Sequence, residues 1–400
     1  MLKKWALPIK HAAIPALLLH CSIGSVYCWS LLKGDIATSI GKSVSSVEWA
    51  FSLAIFFLGV SAAFAGEMVE KDVKKSSLIA AVCFASGMAL TGVSIYYKSL
   101  IGIYLSYGVL MGIGLGIGYL SPVKTLMLWF AEQKGLATGL AITGFGLAKV
   151  IASPLIISLV EKVGIIKLFF ILAGMYFVLM LIASILIKKP SNWSEDEHHA
   201  IGDIREILSN KNFIAVWLIL FLNITCGLAL ISQEKDLMKY VGLSAVLIGT
   251  VSSLTAVFNA GGRLLYSAAS DKLRKRSHIY KFMLQLSAVA VAITLFTNSL
   301  DSKNALVLIA LLCVVNSTYG GGFSNLPTLL SDYFGMDMIS RIHGLSLTSW
   351  AMAGLCGNQL SAIIIKTTGS YNVLLGAVLV LYVLAYLVGV YLLKSIKVAS

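Results

Sequence analysis

The chain reads as an all-α membrane protein with twelve spanning helices in two pseudo-symmetric six-helix bundles, and three observations predict it. Of its 400 residues, 58% are hydrophobic and 12% charged, with a mean hydropathy of +0.88. Apolar runs of about 20 residues, enough to cross a bilayer core, recur from one end to the other. Lys and Arg favour alternate loops: the side holding Lys71, Lys74, Lys75, Lys272, Arg274, Lys275 and Arg276 carries about twice as many as the side holding Lys98, Lys162 and Lys303. That bias places both termini in the cytoplasm and predicts a multi-pass protein of the cell (inner) membrane.

In order, the runs cover 12–32, 47–66, 77–97, 100–124, 136–159 and 166–188, then 211–232, 245–269, 278–298, 304–331, 342–365 and 372–393. Lys3 and Lys4 ahead of the first run mimic a signal peptide, but the run passes Trp29 without a small-x-small cleavage site. It is therefore read as the first spanning helix. The expected division is a bundle over 1–189, a cytoplasmic linker over 190–210 and a second bundle over 211–400. In the linker, Ser194-Glu195-Asp196-Glu197 suits a helix N-terminus. Ile201, Ile204, Ile207 and Leu208 then repeat at helical spacing, which fits an amphipathic surface helix or a plain soluble connection. Pro122, Trp129-Phe130 and Gly139 recur as Pro327, Tyr333-Phe334 and Gly344 at an offset of about 205 residues, the mark of a parallel repeat with a midplane site between its halves.

Several classes are excluded. The net charge of +13 is explained by loop orientation, so nucleic acid is not an expected partner; the bilayer is. Cys21, Cys28, Cys83, Cys226, Cys313 and Cys356 fall inside apolar runs without metal-ligand spacing and read as small hydrophobes. No nucleophile–base pair, metal cluster or phosphate loop appears, so neither an enzyme nor a bound cofactor or metal is expected.

Three cations lie inside runs: Lys124, Lys149 and Arg263. A cation at the centre of a lipid-facing helix costs on the order of 2.5–3.5 kcal/mol, so Arg263 is expected to face protein or an aqueous cavity and to hold an anion there. Its planar fork suits a carboxylate bound by two parallel bonds. Asn259, four residues earlier, shares its helix face. At about 1.5 Å per residue, Arg263 lies about 12 Å from its inner boundary, His20 and Trp350 about 14 Å and Tyr119 about 15 Å, near the midplane. Tyr119 follows a glycine run that allows close backbone approach and would leave its hydroxyl facing an opening. Tyr27, Trp29, Tyr319 and Trp350 are candidates for an aromatic pocket, the alternative for each being core or interfacial packing. Lys149, about 21 Å along its helix, either loses its charge and is inert or supplies a second cation. Lys124 is expected to snorkel to the inner surface. His20 is either a proton relay or a hydrogen-bonded core residue. Glu48, Glu67, Glu161 and Asp332 fall near helix ends, leaving no midspan carboxylate.

Gly112-Ile-Gly-Leu-Gly-Ile-Gly-Tyr119-Leu-Ser-Pro122, Lys134-Gly-Leu-Ala-Thr-Gly139 and Gly144-Phe-Gly146 resemble the oxalate/formate antiporter family of the major facilitator superfamily, which is related to the monocarboxylate transporters. So do Phe221-Leu-Asn-Ile-Thr-Cys-Gly227, Phe258-Asn-Ala-Gly-Gly-Arg263, Ser270-Asp271, Gly320-Gly-Gly-Phe-Ser-Asn-Leu-Pro327 and Asp332-Tyr-Phe-Gly335. The resemblance implies the major facilitator fold and secondary active transport of small carboxylates such as lactate, pyruvate or formate by alternating access, with protons or in exchange. It implies Arg263 as carboxylate ligand, with Tyr319 and Trp350 in the pocket. The family's second cation, a lysine on the eleventh helix, is here Trp350, which weighs against oxalate unless Lys149 replaces it. Asn259 stands where the monocarboxylate transporters carry an aspartate. The loop Gly66-Glu-Met-Val-Glu-Lys-Asp72 lacks the superfamily's usual Asp-Arg pattern, whereas Asp271 lies in the better-preserved equivalent and is the expected gating residue. A non-transporting carboxylate sensor, with 190–210 as its output, is the alternative class.

Overall fold

The computed structural model describes residues 6–191, 193 and 204–393. Its long helices are α1 (Ala6–Ile40), α2 (Val44–Lys71), α3 (Val73–Tyr96) and α4 (Leu100–Trp129). A continuous stretch Lys134–Leu186 is broken at Gly164, whose φ of 76° is open to glycine at no steric cost, into α5 (134–163) and α6 (165–186). There follow α7 (Lys211–Ile231), the short α8 (Glu234–Tyr240), α9 (Ala245–Asp271), α10 (Ser277–Phe296), α11 (Ala305–Phe334), α12 (Ile339–Thr368) and α13 (Tyr371–Tyr391). Leaving out α8, these supply a helix for each of the twelve predicted runs. Helices α9 and α12 are long enough to span at 27 and 30 residues but carry more polar side chains than the rest.

The helix starts follow local chemistry. Asp72 accepts from the backbone N–H groups of Lys74 and Lys75 at 2.9 and 3.0 Å, satisfying two of the orphan donors that open α3. Ser43, Asn210, Ser244 and Ser370 cap α2, α7, α9 and α13 in the same way. Outside the spans, Asp301 accepts from Tyr240 Oη at 2.9 Å and from Asn372 Nδ2 at 2.8 Å, tying three connections together. That bond, with the carboxylate's charge, raises the Tyr240 phenol above its ordinary pKa. The linker motif at 194–197 and Ile201 lie outside the described residues. Ile204–Ser209 forms a six-residue helix that buries Ile207 and exposes Ile204 and Leu208.

By contact the chain divides into two compact units: residues 1–201 with 334–351, and residues 202–333 with 352–400. The division falls inside α12, whose first part packs within the first unit. Glycines make this possible. A Cβ on Gly344 would lie 2.1 Å from the Ala62 carbonyl oxygen, and one on Gly59 would lie 2.6 Å from that of Leu347. Close backbone approach of this kind is how spanning helices associate without a hydrophobic drive between them. The glycine run of α4 works similarly on two faces, Gly116 meeting the Leu58 carbonyl of α2 and Gly114 the Phe84 nitrogen of α3.

Candidate functional site

In the second unit, Arg263 is only 3% exposed although it lies two turns inside α9. Asn259 Oδ1 accepts from its Nε at 3.1 Å, the i, i+4 pairing expected from their spacing. The guanidinium carbon stands 6.0 Å from the centre of the Phe323 ring on α11, within range of a cation–π attraction. Tyr319, one turn before Phe323, packs ring to ring with it at 5.2 Å and is itself buried. The backbone of α11 can approach because Gly320 faces the Asn259 carbonyl oxygen and Gly262 faces that of Ser317, each with no room for a Cβ. Ser324 Oγ donates to the Arg263 carbonyl at 2.9 Å and accepts from Ser267 Oγ at 2.6 Å, which fixes the crossing beside the guanidinium.

In the first unit, His20, Tyr27, Tyr119 and Trp350 come together in one ring cluster. Tyr119 lies 5.2 Å from His20, 5.5 Å from Phe145, 5.8 Å from His343 and 6.2 Å from Trp350, centre to centre. Phe145 also meets Tyr27 at 5.4 Å and Trp350 at 6.1 Å. Edge-to-face geometry dominates, as ring quadrupoles favour. His20 Nδ1 lies 2.7 Å from the Ala141 carbonyl oxygen. Tyr119 is 1% exposed, its ring enclosed by this cluster. The glycines before it serve helix packing.

Two cluster members escaped the sequence reading: Phe145 and His343. His343 is 1% exposed and its Nε2 has no hydrogen-bond partner. Its signal was present, since it precedes Trp350 by seven residues and so shares its helix face.

The ring cluster and the buried arginine thus belong to a chain whose architecture has a match throughout. The Major Facilitator Superfamily model matches residues 16–358. The chain belongs to the major facilitator superfamily. It is 26% identical over 349 residues to an uncharacterized major facilitator-type transporter, YhjX, of Escherichia coli K12, covering 86% of this chain and 85% of that relative. It is also 26% identical over 362 residues to the oxalate:formate antiporter of Oxalobacter formigenes, covering 88% and 84%. The superfamily transporter FucP in its outward conformation superposes with a TM-score of 0.71 at 14% identity, over 97% of this chain and 99% of that one. The chain is therefore a multi-pass membrane transporter of this superfamily, a family of transporters and not of enzymes.

The other singled-out residues of this superfamily member are Lys149, Asp271 and Lys124. Lys149 is half-buried on α5 and donates to Ser30 Oγ at 3.0 Å. Asp271 pairs with Arg276 at 2.6 Å, and Arg276 Nε reaches Asp332 at 3.1 Å, a buried cation clasped by two carboxylates at the ends of α9 and α11. Lys124 does not snorkel. It is 1% exposed and forms an ion pair with Glu70, because a buried ammonium requires a counter-charge. Glu70 also accepts from the Ser340 backbone N–H, one of the orphan donors opening α12, where the helix dipole favours an anion. Lys189 donates to the Glu70 carbonyl. The stretch Gly66–Asp72, read from sequence as a loop, is the end of α2 and its C-cap, and it carries an acidic anchor in Glu70.

Proposed function

We propose that the protein is a secondary active transporter of small carboxylate anions, monocarboxylates such as lactate, pyruvate or formate, working by alternating access of two bundles over 1–189 and 211–400 joined by the 190–210 linker. The observation that carries this reading is Arg263, buried mid-helix with Asn259 on its Nε and Phe323 against its face. A guanidinium oriented this way is prepared for a carboxylate, and in low-dielectric surroundings its bonds to an anion strengthen. Tyr319 supplies an apolar wall beside it. On this reading Tyr119, Trp350, Tyr27 and His20 shape the first unit's contribution, and Asp271 with Arg276 gates the inner end. The inner membrane, with both termini cytoplasmic, is the proposed location, supported by the loop charge bias.

Exchange of a dianion such as oxalate is the second reading, favoured by the likeness to the oxalate:formate antiporter, with Lys149 as the second cation. Counterflow of labelled lactate, pyruvate, formate and oxalate into liposomes holding the purified protein separates the two. Monocarboxylate counterflow without oxalate counterflow supports the first, oxalate exchange lost in Lys149→Ala supports the second, and no counterflow of any of them defeats both.

A further inference from the structure

One buried carboxyl has no part in the scheme above. Glu234 opens α8, just beyond the end of α7, and is 9% exposed. Its Oε1 accepts from Thr255 Oγ1 of α9 at 2.7 Å, and Thr255 is itself 2% exposed. Thr255, Asn259 and Arg263 follow at intervals of four residues, so they line one face of α9, with Arg263 about 12 Å further along the axis. Glu234 is thus docked on the same polar stripe that ends in the arginine. Burial raises its carboxyl above the usual range, opposed by the Thr255 hydroxyl and by the neighbouring Lys235. The Cys313 side chain of α11 lies near enough to feel the Glu234 charge.

We propose that Glu234 is a proton-binding site of the transport cycle, taking up a proton when a carboxylate occupies Arg263 and returning it when the carboxylate leaves. This rests on the carboxylate-transport reading. With the arginine unoccupied, its positive charge helps hold Glu234 ionised. A bound substrate anion cancels that charge and leaves the buried carboxylate without its distant partner. At about 12 Å and an effective dielectric near 20, the coupling changes proton affinity about tenfold. One monoanion then moves with one proton.

The test uses the full chain in liposomes, with labelled lactate and pyruvate. Glu234→Gln keeps an acceptor for Thr255 but cannot titrate. The expected result is retained counterflow at equal pH on both sides, with uptake driven by an inward proton gradient reduced at least about tenfold. Gradient-driven uptake as strong as in the wild type overturns the proposal; so does wild-type counterflow that ignores the gradient. Absence of wild-type counterflow brings down the transport reading itself, and this inference with it. Should the variant not fold, wild-type protein in weakly buffered detergent supplies a second readout. Adding lactate near the midpoint pH is expected to draw up to about half a proton per protein from solution, the most a tenfold change in affinity allows, and no uptake refutes the assignment. In Thr255→Val the pH midpoint of that uptake should rise, because the lost hydroxyl favoured the ionised form.

Discussion

The arginine stripe of the second unit and the ring cluster of the first are both buried and both contain residues singled out for substrate, yet they are built by opposite means. The stripe is largely the work of one helix. Thr255, Asn259 and Arg263 are spaced by four, and α11 only has to present small residues for its backbone to come close. The cluster draws His20, Tyr119, Phe145, His343 and Trp350 from α1, α4, α5 and α12, and no two neighbouring rings in it come from a shared turn. A polar function can be written in a local repeat, whereas an aromatic enclosure depends on distant segments meeting.

That contrast can be broken first at Trp350. Replacing it with Ala leaves a void among Tyr119 and Phe145, and truncating a large buried aromatic costs about 3–5 kcal/mol in well-packed cores. Trp350→Ala is expected to lower the thermal midpoint in nanodiscs clearly, followed by intrinsic fluorescence. A midpoint unchanged from the wild type would mean the rings do not hold the first unit together.

The stripe should respond in function instead of stability. Arg263→Lys preserves charge but loses the planar fork, and a charge-assisted bond contributes about 1.5–3 kcal/mol, so uptake is expected to fall roughly 10- to 100-fold. Size-exclusion profiles of the variant should match the wild type. Unaltered uptake would remove Arg263 from the substrate site.

Adjacent glycines sharpen the comparison further. A Cβ at Gly262 would lie 2.1 Å from the Ser317 oxygen, but at Gly261 it would meet nothing within 4 Å. Gly262→Ala should therefore destabilise by about 1–3 kcal/mol, as overpacking does, and Gly261→Ala should be neutral or mildly stabilising. Equal thermal shifts for the two would contradict the crossing of α9 on α11.

Tyr119→Phe is the smallest change and the finest probe of the cluster. It keeps the ring and removes the hydroxyl, a group that contributes about 0.5–1.5 kcal/mol as a net hydrogen bond. A rise of a few-fold in KM at constant thermal midpoint is expected if the hydroxyl serves substrate; parallel loss of stability would make its role packing alone.

The two missed carboxylates show where sequence reasoning stopped. Glu70 and Glu234 lie at helix boundaries, where acidic residues usually remain in water, so position alone gave no reason to select them. Each becomes notable through a partner far along the chain or on another helix: Lys124 and Ser340 for Glu70, Thr255 for Glu234. Lys124 itself was misjudged for the same reason, since snorkelling is the cheaper outcome only when no buried counter-charge is in reach.

The sequence by itself determined the twelve helices and the polar face of α9 that holds Asn259 and Arg263. These follow from hydropathy, backbone sterics and the 3.6-residue period, all of which act over a few turns. Only the tertiary structure decided that the first part of α12 packs with the first unit, that Tyr119 is enclosed and that Lys124, Glu70 and Glu234 find buried partners. Helix packing in a bilayer is set by surface fit and satisfied polar groups, and those depend on which residues distant in sequence come within a few ångströms of one another.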